Sequence, residues 1–154
     1  MHKITLIILF LAINFGGLAL GGWLMNNGPS TEWYLNLNKA PWTPPSWVFG
    51  AAWTIIMICF SIYLAELFSF KVNTQIVLLF GIQVFLNVIW NYLFFNQHLI
   101  GFGLVTIILL TVLIFYFFFN FNEGRMQFFR YLILPYMLWL CIATSLNAYI
   151  FINN

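Results

Sequence analysis

Five long apolar runs most constrain what this chain can fold into. Glu66 is the only charged residue inside them, and they cover residues 4–25, 46–67, 73–95, 100–120 and 131–152. At 1.5 Å per residue, each run is long enough as a helix to cross a hydrocarbon layer about 30 Å thick. Lipid offers the backbone no hydrogen bonds, so only helices or closed barrels span it. The sequence therefore predicts an all-α membrane protein, one domain over residues 1–154 built as a bundle of five transmembrane helices, with a long loop between the first two.

The first run leaves two interpretations open. A short basic start followed by an apolar stretch is typical of a cleaved signal peptide as well as of a membrane span. The run is longer than a usual signal core and four more spans follow it, which favours the span. Within it Gly17 and Gly21 are four residues apart, a spacing that indicates close helix packing, either between two copies of the chain or inside one bundle.

Composition excludes several classes of protein. Hydrophobic residues make up 64% of the chain and charged residues 5%, which is outside the range of soluble domains. The net charge of +2 rests on five basic and three acidic residues, too few for a protein that binds nucleic acid. Cys59 and Cys141 lie in apolar runs, where thiols usually act as small hydrophobic groups. The lipid membrane is therefore the expected partner, and neither a disulfide nor a metal site is indicated.

The distribution of basic residues predicts the orientation in the membrane. With five spans, Lys3, Lys71, Arg125 and Arg130 fall on the side of the N-terminus, and Lys39 alone falls on the other side. Cytoplasmic loops are enriched in lysine and arginine. We therefore expect a multi-pass membrane protein with a cytoplasmic N-terminus, and a bacterial cell envelope as its location.

Two spans carry polar or small residues at a spacing of one helical turn. In the third span these are Gln83, Asn87 and Asn91, with Trp90 beside them, and in the fifth they are Trp139, Ala143 and Asn147. Side chains four residues apart share one face of a helix, and polar groups in lipid are costly. We therefore expect these two helix faces to be turned away from lipid, towards a cavity or towards neighbouring helices. An apolar aromatic cavity with a few amides suits a flat hydrophobic ligand, whereas interhelical hydrogen bonding needs no ligand at all.

Residues for ordinary catalysis are scarce. The only carboxylates are Glu32, Glu66 and Glu123, and the only histidines are His2 and His98. These residues form no carboxylate pair, no nucleophile with a base and no cluster of metal ligands. The sequence therefore predicts no classical catalytic residue, no metal and no required cofactor.

Three blocks of sequence resemble one known family. Residues 33–53 read WYLNLNKAPWTPPSWVFGAAW, residues 83–95 read QVFLNVIWNYLFF, and residues 134–147 read LPYMLWLCIATSLN. In this order and spacing they are similar to the TspO family of tryptophan-rich sensory proteins. The animal members of that family are the translocator protein, or peripheral benzodiazepine receptor.

The resemblance implies a five-helix membrane protein, often a homodimer, that binds porphyrins and related hydrophobic ligands in a pocket closed by the long first loop. The ligand-binding residues carried over by matching positions are Trp33, Tyr34, Trp42, Pro44, Trp53, Asn87, Trp90, Trp139, Ala143, Leu146 and Asn147. Some positions depart from the family pattern: Ala40 and Ala51 replace proline, Met57 replaces an aromatic residue, and Thr106 stands where aspartate is frequent. Tyr149 is not followed by a basic residue, so a cholesterol motif is not supported.

Three functions are consistent with these residues. The first is binding of a porphyrin-type tetrapyrrole by a sensor, regulator or transporter. The second is light-dependent degradation of the porphyrin, in which Trp53 and Trp139 would be the redox-active side chains. The third is a structural membrane partner protein without a ligand, whose polar faces only hold helices together.

Overall fold

Residues 2–154 form seven α-helices, and five of them are long. The computed structural model describes residues 2–154 and contains no strand in that part of the chain. The long helices are α1 (Lys3–Leu24), α3 (Ser46–Phe70), α4 (Thr74–Asn91), α5 (Ile100–Asn120) and α7 (Leu134–Asn153), and the short ones are α2 (Glu32–Asn36) and α6 (Met126–Phe129). Each long helix lies in a segment long and apolar enough to span a membrane. The prediction of an all-α membrane protein is therefore confirmed, while the side of the membrane that the N-terminus faces stays a prediction.

Local sequence determines where several helices begin and end. Asn26 and Asn27 have positive φ angles of 48° and 58°, a conformation that stops α1 and that asparagine adopts more readily than most residues. The side chain of Asn73 accepts a hydrogen bond of 2.8 Å from the Ile76 amide and so caps α4. The last helix begins only at Leu134, after a 3₁₀ turn at Arg130–Ile133, with Pro135 in its first turn. Proline is favoured there because the first amides of a helix have no partner inside the helix.

The small residues of α1 pack inside the bundle. Helix α1 lies against α3 and α4, and α5 lies against α4 and α7. A Cβ atom added to Gly21 would lie 2.6 Å from Nδ2 of Asn91, and one added to Gly17 would lie 3.7 Å from Val88. Of the two interpretations of this glycine pair, the structure thus supports close packing between α1 and α4 of the same chain.

Polar side chains join the helices at two buried positions. Asn14 donates a hydrogen bond of 2.8 Å to the Ser61 hydroxyl, between α1 and α3. Gln83 donates one of 2.9 Å to the Tyr136 hydroxyl, between α4 and α7. Part of the predicted polar face of α4 therefore holds helices together, as such amides often do in membranes.

A buried carboxylate organises the end of the bundle that carries the N-terminus. Glu66 is 1% exposed and forms ion pairs with Lys3 and with Arg125, whose Nε lies 3.6 Å from Oε2. Arg125 also donates a hydrogen bond of 2.8 Å to Ser69. These contacts tie the start of α1 and the loop before α6 to the end of α3.

Candidate ligand cavity

A small aromatic cavity lies at the other end of the bundle, under the connection between α1 and α3. We call residues 33–45 of this connection the lid. The side chains around the cavity come from the lid, from α3, α4, α5 and α7, and from the turn after α4. They are Tyr34, Thr43, Phe49, Trp53, Trp90, Phe94, Phe95, Ile107, Trp139, Ala143, Leu146, Asn147 and Ile150. The space open to the centres of water molecules is about 40 Å³. Ligand pockets usually measure about 300–1,000 Å³, so the free space in this structure is far smaller than that of a ligand pocket.

The short helix α2 positions the first half of the lid. Thr31 caps it, because the hydroxyl accepts a hydrogen bond of 3.4 Å from the Tyr34 amide and donates one of 2.7 Å to the Gly28 carbonyl. Trp33 then stacks on His98, with ring centres 4.0 Å apart, and Tyr34 reaches the cavity. Burial raises the pKa of the Tyr34 hydroxyl above its usual value near 10. The phenol is therefore neutral at ordinary pH and can donate a hydrogen bond.

A wide turn at the end of α4 forms the floor under the lid. Residues Tyr92–Asn96 form a π-helical turn, in which the Gln97 amide bonds the Tyr92 carbonyl at 2.9 Å. The turn directs two consecutive side chains, Phe94 and Phe95, into the buried region beneath Tyr34. Such turns are frequent at functional sites. Here the turn supplies two aromatic walls of the cavity from adjacent positions.

The second half of the lid is fastened to α7. Trp42 donates a hydrogen bond of 3.1 Å to the Ser145 hydroxyl, and its ring meets the edge of Tyr149 with centres 5.5 Å apart. The Asn38 amide bonds Oδ1 of Asn154 at 2.9 Å. At Ala40, where the family resemblance leads us to expect proline, the carbonyl accepts hydrogen bonds of 3.0 and 2.7 Å from the Thr43 amide and hydroxyl. A hydrogen-bonded turn thus holds the lid where proline is missing.

The side-chain amide of Asn147 joins α4 and α7 in the wall of the cavity. Trp90 Nε1 donates a hydrogen bond of 3.2 Å to Oδ1 of Asn147, whose Nδ2 donates one of 2.9 Å to the Ala143 carbonyl. The Trp90 ring stacks on Phe94 with centres 5.6 Å apart. Asn147 is therefore both a lining residue and a contact between α4 and α7.

Trp139 offers a free donor in the same wall. The residue is 6% exposed, and its indole Nε1 has no hydrogen-bond partner among residues 2–154. Its ring meets the edge of Phe49, with centres 5.2 Å apart, while Trp53 packs on Tyr136. A buried N–H without a partner is costly, and tryptophan usually satisfies it. The described chain supplies no acceptor for this N–H, and the indole ring forms part of the cavity wall.

Most of the residues expected to bind ligand meet at this cavity. Seven of the eleven line it: Tyr34, Trp53, Trp90, Trp139, Ala143, Leu146 and Asn147. The others lie around it, since Trp33 stacks on His98, Trp42 is 54% exposed beside α7, Pro44 is half-buried in the lid, and Asn87 is buried one turn further from the lid than Trp90. Their role as ligand contacts stays a prediction.

The sequence reasoning missed six lining residues. They are Thr43, Phe49, Phe94, Phe95, Ile107 and Ile150. Three of them lie four residues from a predicted lining residue on the same helical face: Phe49 from Trp53, Phe94 from Trp90, and Ile150 from Leu146. Extending each predicted face by one turn would have found them.

The chemistry of the cavity suits binding rather than acid–base catalysis. No carboxylate or histidine lines it, and no group of three potential metal ligands occurs in the part of the chain that the structure describes. What the site offers is aromatic surface, one free indole donor and a neutral phenol. The fold and cavity define a multi-pass membrane protein with a lid-covered aromatic site.

Comparison with known proteins identifies the family. The model of the TspO/MBR family matches residues 7–152. The chain is 34% identical to the tryptophan-rich protein TspO of Chlorobaculum tepidum over 90% of this chain and 87% of that protein. It is 32% identical to the protein of the same name from Archaeoglobus fulgidus, over 79% and 80% respectively, and 29% identical to the human translocator protein, over 83% and 78%. The chain therefore belongs to the TspO/MBR family, as the three sequence blocks indicate.

Proposed function

We propose that this protein binds a porphyrin-type tetrapyrrole in the cavity beneath the lid and acts as a sensor, regulator or transporter of that ligand. The observation that carries the proposal is the aromatic wall that Trp53, Trp90 and Trp139 form around one cavity, where the buried indole N–H of Trp139 also has no partner. Flat aromatic ligands pack well on such rings, and a few placed polar groups fix their orientation. The names of relatives, sensory protein and translocator protein, agree with a ligand-dependent role.

Binding requires the lid to open. About 40 Å³ of free space cannot hold a macrocycle, whereas the contacts that fasten the second half of the lid are mainly individual hydrogen bonds near the surface. Each such bond contributes only about 0.5–1.5 kcal/mol net. A ligand that replaces them with aromatic contacts can therefore shift the lid to an open or expanded arrangement.

Lys39 is suited to meet an acidic edge of the ligand. Its Nζ donates hydrogen bonds to the Tyr34 and Leu35 carbonyls at 2.8 and 3.1 Å and lies 4.9 Å from the centre of the Tyr34 ring. It pairs with no carboxylate among the described residues. A porphyrin propionate at the rim of the cavity would provide the missing negative charge.

Titration with protoporphyrin IX in the dark tests the proposal. In nanodiscs of neutral lipid, we expect a saturable shift of the porphyrin absorption band and quenching of tryptophan fluorescence, whereas oleate, which is flexible and not flat, should not compete. Empty nanodiscs are the control for partition into lipid. A linear, unsaturated response equal to that of empty nanodiscs would refute the proposal.

The position of Trp53 and Trp139 at one cavity also favours a second candidate function, light-dependent degradation of the bound porphyrin. The same samples test it under illumination. A product that forms only with protein and light, and that is lost when both tryptophans are replaced by phenylalanine, would support it. Bleaching at the same rate in empty nanodiscs would exclude it.

A further inference from the structure

Four basic residues lie at the end of the bundle opposite the lid, and three of them form ion pairs. Lys3 and Arg125 pair with Glu66, and Lys71 lies 3.6 Å from Glu123. Arg130 forms no ion pair with any carboxylate of residues 2–154. This end of the bundle therefore carries four cations against two carboxylates, and Arg130 is the cation that has no ion pair in the described chain.

Aromatic rings hold the Arg130 side chain in place. The guanidinium carbon lies 5.0 Å from the centre of the Phe118 ring and 5.2 Å from that of Tyr131, and Nη2 lies 3.5 Å from the Tyr131 hydroxyl. The Nε atom is buried and has no hydrogen-bond partner in the described chain. Contact with two rings restricts the side chain, so less conformational entropy is lost when the guanidinium binds an anion.

A recess adjoins this guanidinium. It has a volume of about 290 Å³ and is lined by Asn122, Gln127, Phe128, Arg130 and Tyr131. The Asn122 amide donates to the Phe119 carbonyl at 2.9 Å, while the Gln127 side chain is exposed at the rim. The recess thus combines the guanidinium of Arg130 with the exposed amide of Gln127, and a phosphate group accepts hydrogen bonds from both kinds of donor.

Exposed aromatic side chains place the recess at the level of lipid headgroups. Phe128 is 78% exposed and Tyr131 is 52% exposed, although both adjoin membrane-spanning helices. Tyrosine is enriched where the hydrocarbon layer meets the headgroups, and basic pockets at the ends of membrane helices recognise anionic lipids. Acyl chains could then lie along the apolar surface beside the recess.

We propose that Arg130 and the recess of residues 122–131 bind the phosphate of an anionic phospholipid. The site is separate from the cavity under the lid and does not depend on the proposed porphyrin binding. Arg130 supplies planar, bidentate donors to the phosphate, Gln127 adds an amide donor, and Phe128 and Tyr131 contact the glycerol and the upper acyl chains.

Native mass spectrometry of the detergent-purified protein titrated with dioleoyl phosphatidylglycerol tests this proposal. We expect Arg130→Gln to reduce the affinity for the first bound lipid about fivefold to tenfold, because one cation near the headgroups and its charge-assisted bonds are lost. The matched control is Lys71→Gln, which removes one positive charge from the same end of the bundle but from a residue already paired with Glu123. It should change the affinity less than twofold.

Further measurements keep the outcome decisive. Arg130→Lys keeps the positive charge but loses the planar, bidentate donors, so its affinity for the lipid should lie between those of the wild type and Arg130→Gln. Thermal unfolding shows whether each variant remains folded. Dioleoyl phosphatidylcholine should bind equally to all variants, and inorganic phosphate at the same concentration should not displace the lipid. The proposal is wrong if Arg130→Gln and Lys71→Gln weaken binding equally, if neither does, or if free phosphate competes as well as the lipid.

Discussion

Replacing Ala143 by leucine is expected to weaken protoporphyrin binding by at least about tenfold. Ala143 is buried in the cavity wall between Trp139 and Asn147, and the cavity has little free space even without the added carbons. Forcing extra methylene groups into a packed site typically costs about 1–3 kcal/mol, and about 1.4 kcal/mol corresponds to a factor of ten in affinity. Titration of the variant in neutral nanodiscs, followed at the porphyrin absorption band, measures the effect.

Ala51→Leu is the matched control for this variant. Ala51 lies in α3 and is exposed on the surface of the bundle, so leucine there adds the same carbons outside the cavity. It should bind porphyrin with the affinity of the wild type. If both variants bind as the wild type does, the ligand does not occupy this cavity.

Removing both cations that balance Glu66 should be among the most destabilising polar changes in the chain. In the double variant Lys3→Gln/Arg125→Gln, the Glu66 carboxylate, which is 1% exposed, loses both of its ion pairs. Leaving a buried charge without a partner typically costs about 3–5 kcal/mol. Because both cations are themselves about half exposed, we expect the free energy of unfolding to fall by about 3 kcal/mol, measured by reversible unfolding in mixed micelles of dodecyl sulfate.

A third substitution tests whether the uncompensated charge of Glu66, rather than lost packing of the two basic side chains, causes the destabilisation. Adding Glu66→Gln to the double variant removes the uncompensated carboxylate and should recover most of the lost free energy of unfolding. Lys71→Gln, whose partner Glu123 is exposed, should cost less than about 1 kcal/mol. A triple variant no more stable than the double one would show that Glu66 is not the source of the effect.

The sequence predicts the membrane helices because their signal is local. Length and the scarcity of charge determine each span, and the observed helices begin and end within four residues of the expected bounds. The larger differences are the end of α4 at Asn91, before the π-helical turn, and the start of α7 at Leu134, after a 3₁₀ turn over Arg130–Ile133. Apolar content alone does not distinguish a 3₁₀ turn from the first turn of an α-helix.

Contacts between distant segments are what the sequence cannot supply. Glu66 is visible as a charge near the end of a span, yet nothing local joins it to Lys3 and Arg125. The polar face of α4 illustrates the same limit, since Gln83 bonds Tyr136 of another helix while Trp90 lines the cavity. The π-helical turn at Tyr92–Asn96 has no sequence signal that we recognise, and it determines where Phe94 and Phe95 point.

The most direct test of porphyrin binding under the lid is a dark titration of the wild type beside the variant Trp53→Phe with Trp139→Phe. Both side chains line the cavity, and phenylalanine keeps an aromatic ring while removing the indole donor of Trp139. The porphyrin absorption band is followed, because it does not depend on the number of tryptophans. We predict saturable binding by the wild type and affinity at least about tenfold lower in the variant, given the loss of stacking area and of one hydrogen bond. Equal saturable binding by both proteins would contradict the assignment of the ligand to this cavity.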